Sequence, residues 1–102
     1  MKLILKPNEM ILRAGDTNLL LNDHQVPGKL IVTNQRIYFI SLRDDYRHYD
    51  KEITPEEIRE LIYFKTNWLF PYGMKIITRN GDEHPFVVRK RDEWSKLITR
   101  MF

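Results

Sequence analysis

Short runs of aliphatic, β-branched and aromatic residues, broken by turn formers, fill the chain from residue 9 to residue 89. Runs of this length and spacing predict strands of a sandwich or small barrel. The clearest pair is Gly28-Lys29-Leu30-Ile31-Val32 and Ile37-Tyr38-Phe39-Ile40-Ser41-Leu42, joined by the polar turn Thr33-Asn34-Gln35-Arg36. It predicts a tight hairpin whose strands are buried on at least one face. Upstream, residues 9–14 predict a first strand ended by Gly15-Asp16, after which Leu19-Leu20-Leu21 resumes the apolar pattern. Residues 22–28, with Pro27-Gly28 at their end, read as a loop.

Downstream, Asp44-Asp45 marks a turn, and residues 46–53 alternate polar and bulky positions as a half-exposed strand does. Thr54-Pro55-Glu56-Glu57 carries helix-start signals: a capping Thr, a Pro at the first helical position and a Glu that completes a capping box. Leu61-Ile62-Tyr63-Phe64 is too β-prone to continue that helix, so residues 60–66 read as a strand. Residues 74–79 and 83–89 form a second hairpin about Asn80-Gly81, where both turn positions tolerate φ > 0. From about residue 91 the period changes. Trp94, Leu97, Ile98 and Met101 fall at i, i+3, i+4 and i+7, one apolar helical stripe. Asp92 and Glu93 sit near the positive end of that helix dipole and Arg100 near the negative end. The expected fold is therefore mainly β with one C-terminal α-helix: about seven short strands, then an amphipathic helix whose Trp94 stripe plugs an open barrel end.

Composition narrows the class. At 102 residues and 42% hydrophobic, the chain is expected to be one domain, residues 1–102, with a real core. The absence of cysteine excludes disulfides and thiolate metal sites. Leu3-Ile4-Leu5, stopped by Lys6-Pro7, is too short for a secretory signal, and no run approaches a membrane span. A cytoplasmic protein, peripheral to a membrane if it meets one, is the expectation. The net charge of +3 is mild, and Arg89-Lys90-Arg91 is the one dense basic run, which makes nucleic acid an improbable partner.

The order of elements, and several motifs, resemble the GRAM domain and the bacterial members of the pleckstrin-homology (PH) superfamily. Pro7-Asn8-Glu9-Met10-Ile11-Leu12 is similar to that family's opening E-x-I-L strand. Gly28 through Phe39 is similar to its G-x-L-x-x-T-N-x-R-[IL]-x-F hairpin, and Ile53-Thr54-Pro55-Glu56-Glu57-Ile58 to its I-P-L-x-x-I element. The resemblance covers roughly residues 7–102. It implies a PH-like seven-stranded split barrel capped by a C-terminal amphipathic helix. It also implies a non-catalytic binding module for lipid headgroups, phosphoinositides or protein partners. One loop departs from the phosphoinositide binders: residues 22–28 carry no Lys or Arg before Lys29, and Asp23 would oppose a phosphate.

Candidate chemistry is confined to surfaces. Trp68, Leu69, Phe70 and Tyr72 cluster around Pro71, and an exposed patch of this kind marks a partner or membrane surface. The other reading folds these residues back over the barrel mouth. Lys65, Lys75 and Arg79 are expected near that loop, giving a basic, aromatic face suited to an acidic membrane. Lys29, Arg36, Arg89, Lys90 and Arg91 are weaker candidates for an anion. The favoured reading of Thr33-Asn34-Gln35-Arg36 is turn chemistry, and that of Arg89-Lys90-Arg91 a solvated strand-to-helix corner. His24, His48 and His84 lack ligand spacing, so neither metal nor cofactor is expected. Asp44-Asp45 and Glu56-Glu57 are accounted for by turn and capping roles, and no nucleophile–base pairing is visible. The sequence thus points to a non-enzymatic module that docks to a protein partner or an anionic membrane surface. The alternative is a structural module that assembles with its own copies.

Overall fold

Alternation along the strands sorts one face inward and one outward, and the computed structural model, which describes residues 3–22, 24–65 and 72–102, follows that sorting. Seven strands form one antiparallel sheet: β1 (Ile11–Leu20), β2 (Gln25–Thr33), β3 (Ile37–Ser41), β4 (Lys51–Ile53), β5 (Ile58–Phe64), β6 (Gly73–Thr78) and β7 (Glu83–Val87). Their spatial order is β4-β3-β2-β1-β7-β6-β5, and a single helix, α1 (Arg91–Thr99), follows. Leu19, Val26, Leu30, Val32, Ile37 and Phe39 from the first half meet Ile58, Met74, Ile76 and Phe86 from the second in one core. Trp94 and Ile98 of α1 close that core at one end, and Leu97 and Met101 pack against it.

Three local expectations are corrected. Gly15-Asp16 does not end β1, which continues through both residues opposite Leu30 and Lys29. The glycine lets the strand lie close over the helix: a Cβ there would lie 3.0 Å from the Trp94 ring, a tight contact. Pro27-Gly28 belongs to β2 and not to a loop. The Pro27 carbonyl accepts from Leu42 N–H just past the end of β3, so the missing proline N–H faces the side where that ladder stops. Residues 46–49 are not strand but part of a 3-10 helix, Asp44–Tyr49. Arg47 reaches back three residues to Asp44, and Arg43 pairs with Asp45. With three residues per turn, Tyr46 and Tyr49 land on one side and pack against the core, Tyr46 stacked on His24 and Tyr49 edge-on to it. The expected helix start at Thr54 is one turn of 3-10 helix, Pro55–Glu57, in which the Thr54 hydroxyl donates to the Glu57 carboxylate.

Candidate functional site

The cations named from sequence fall into two groups, those held by other protein groups and those left to solvent. Arg36 is held most tightly. The Thr33–Arg36 turn closes when the Thr33 hydroxyl accepts from the Gln35 and Arg36 N–H groups. That turn then grips the N-terminal segment. Asn34 accepts from Met10 N–H at 2.7 Å and donates to the Asn8 carbonyl, while Gln35 donates to the Pro7 carbonyl. Beneath them Arg36 donates through Nε to Glu9 Oε2 at 2.8 Å, through Nη2 to Glu9 Oε1 at 3.0 Å and to the Ile4 carbonyl, and through Nη1 to Glu52. The Arg36 and Glu9 side chains are 7% and 0% exposed. The Arg36 hydrogen bond, with a smaller one from Thr33, holds the Glu9 carboxyl down at about 2 despite its burial. Arg36 is thus a clasp between the hairpin and the chain's start, and it is not presented to an external anion.

Four more expected cations also have partners. Lys29 lies on the outer face of β2, 2.6 Å from Asp16, which holds that carboxyl below its usual range. Arg91 stacks over the Tyr63 ring at 4.2 Å and donates to the Phe64 and Gly73 carbonyls, fastening α1 to the β5–β6 end. Lys75 pairs with Glu83 at 2.8 Å on β6–β7. Arg79 donates to the Glu56 carbonyl beyond the opposite end of β6 from Tyr72. The six residues of β6 put roughly 20 Å between the two at about 3.3 Å per residue, so Arg79 is remote from Tyr72. Trp68, Leu69 and Phe70 lie outside the described residues. Tyr72 is described, 52% exposed, and its carbonyl accepts from Val88 N–H. Lys65 is exposed.

Arg89 and Lys90 remain. Both are exposed, and among the described residues neither has a carboxylate partner. They stand at the corner between β7 and α1, where Lys90 adopts the left-handed conformation at φ 56°. A residue without glycine's freedom in that region stores strain, a feature that clusters at functional sites.

The corner forms one wall of a groove of about 760 Å³. Residues 13–17 of β1 form the other, Tyr72 flanks it, and Trp94 lines it beneath Gly15. It exists because, among the described residues, β1 and β7 pair only at Asn18–Val87 and Leu19–Phe86. The Thr17 hydroxyl then takes the Val87 carbonyl at 2.8 Å and ends the ladder. Arg13 stacks on Trp94 at 5.0 Å and meets Glu93 at 3.4 Å. Sequence reasoning placed Trp94 as a plug but missed the groove and Arg13. The available signal was Gly15 between two strand-like runs, since a glycine within a strand also marks a close approach.

The histidines are dispersed. His24 stacks on Tyr46, His48 lies 4.1 Å from Tyr49, and His84 sits half-buried on β7, where burial and Lys51 push its pKa down. Among the described residues no three His, Asp or Glu side chains converge as a metal site would need. No helix among them is long and apolar enough to cross a membrane.

No family model matches the chain, and no curated protein does. Solved structures do match. The C-terminal domain of an unknown protein from Leishmania infantum superimposes with a TM-score of 0.77 at 20% identity, over 93% of this chain and 86% of that one. The Vps36 N-terminal PH domain gives 0.72 at 14% identity, over 96% and 82%. The linker-DH/PH domains of p115-RhoGEF give 0.72 at 11%, over 94% of this chain and 30% of that one. The chain has a PH-like fold: a seven-stranded antiparallel sheet closed by a C-terminal helix.

Proposed function

We propose that the chain is a non-catalytic, GRAM-type binding module of the PH class. It docks to a protein partner or an anionic membrane surface through the barrel end that carries Lys65, Tyr72, Arg89 and Lys90. The observation that carries this reading is the sorting of charge. Lys29, Arg36, Lys75, Arg79 and Arg91 are each held by a carboxylate, a carbonyl or both, whereas Arg89 and Lys90 face solvent together beside the exposed Tyr72. Two cations outside any ion pair among the described residues, next to an amphipathic ring, suit an acidic surface. The clasp formed by Thr33-Asn34-Gln35-Arg36 and Glu9 gives the GRAM-like motifs a shared structural task, which supports that finer assignment. Co-sedimentation with vesicles containing phosphatidylserine tests the membrane form. Binding above that to neutral vesicles, lost in R89E/K90E, supports it, and equal recovery with both vesicle types removes it.

A second reading, self-assembly, draws on β5. This seven-residue strand lies at the edge of the sheet with Ile62 and Tyr63 exposed, a template for pairing with another copy. Sedimentation velocity across a concentration series decides it, and a monomer throughout argues against it.

A further inference from the structure

We infer that the groove between β1 and the Arg89–Lys90 corner receives an extended acidic peptide segment of a partner protein, which adds to the open edge of β1. This rests on the docking reading above and names the partner's chemistry. The first ground is the strand edge. Residues 11–17 of β1 are paired with β2 on one side and, among the described residues, have no strand on the other, since the β7 ladder ends at Asn18. Alternate N–H and C=O groups of such an edge point away from the existing partner and serve an added strand. Gly15 lies midway along it with no side chain, and the indole of Trp94 lies beneath.

The second ground is charge. Of the ionic groups along the groove, Asp16 pairs with Lys29 at 2.6 Å and also feels the charge of Arg89, and Arg13 pairs with Glu93 at 3.4 Å. Arg89 and Lys90 leave two positive charges over. An acidic strand matches that excess, and a basic one does not. The volume, about 760 Å³, is within the roughly 300–1,000 Å³ of specific binding clefts. A membrane meets a flat face and would leave the recessed edge of β1 unused, so the groove favours a peptide over a lipid surface.

The test uses the whole chain, labelled with nitrogen-15, and a capped six-residue peptide alternating glutamate and valine, titrated at low salt. The expected result is a set of amide shifts confined to residues 13–17 and 88–90, with slowed hydrogen exchange in β1. R89E/K90E should weaken the peptide roughly tenfold or more while its own spectrum stays folded. A version with proline at alternate positions, which removes backbone donors, should also bind about tenfold more weakly. Three results overturn the inference: equal binding by a lysine–valine peptide, equal binding by the proline version, or shifts that map to β5. Anionic vesicles bound through Arg89 and Lys90 with no peptide shifts in the groove would overturn it while leaving the docking reading intact. Neither vesicles nor peptide bound would remove both.

Discussion

Replacing Glu9 by Gln preserves the shape of the buried clasp and removes one charge. In the folded chain Glu9 accepts from Arg36 through both carboxylate oxygens, from the Thr33 hydroxyl and from Lys6 N–H. The substitution leaves a guanidinium that is 7% exposed facing an amide, with only the partly exposed Glu52 to balance it. Removing one member of a buried pair costs about 3–5 kcal/mol, and the retained Glu52 contact places this case near about 3 kcal/mol. For a domain of this size each kcal/mol lowers Tm by about 4–8 °C, so a fall of roughly 12–24 °C is expected. Urea unfolding followed by circular dichroism measures the free-energy loss directly. The pH dependence provides an independent check. The folded carboxyl titrates at about 2 and the unfolded one near 4.5, so between those values the unfolded chain binds the extra proton. The contribution of Glu9 is therefore fully present above about pH 4.5 and lost as pH falls toward 2. The stability gap between the native chain and E9Q should narrow across that window. A loss below about 1 kcal/mol, the range of surface pairs, or a gap that does not change with pH, would refute the clasp.

Other substitutions test the remaining structure. W94A removes the buried indole that closes the core and underlies Gly15, and should cost about 3–5 kcal/mol in urea unfolding. G28A places a Cβ 2.5 Å from both the Ile40 carbonyl and the Phe39 ring, where backbone cannot yield easily, so a loss of about 1–3 kcal/mol is expected. K90G relieves a left-handed residue, and its melting should show unchanged stability or a gain of up to about 1 kcal/mol, even as binding of the acidic peptide weakens. A marked destabilisation by K90G would show that Lys90 serves the fold and not a ligand.

The strand hairpin at residues 28–42 was legible because its periodicity and turn chemistry are local. The Trp94 stripe was legible for the same reason. Residues 46–49 misled because alternation of polar and bulky positions satisfies a strand, while Asp44–Arg47 and Arg43–Asp45 pairs tip the segment into a tighter helix. Gly15-Asp16 misled because glycine marks both turns and close approaches, and the Trp94 ring that decides between them is distant in sequence. The charges were the least legible. Arg36 and Arg89 look alike in one dimension, yet one meets Glu9 across 27 positions and the other meets no carboxylate among the described residues. Only the folding of the N-terminal segment onto the hairpin separates them.

That separation is tested most directly by titrating nitrogen-15-labelled protein with inorganic phosphate and following arginine Nε–H signals together with backbone amides. The account predicts that Arg89 Nε–H and the amides of Arg89 and Lys90 shift, while Arg36 Nε–H stays fixed in its bond to Glu9. A leading shift at Arg36, with Arg89 and Lys90 silent, would contradict it.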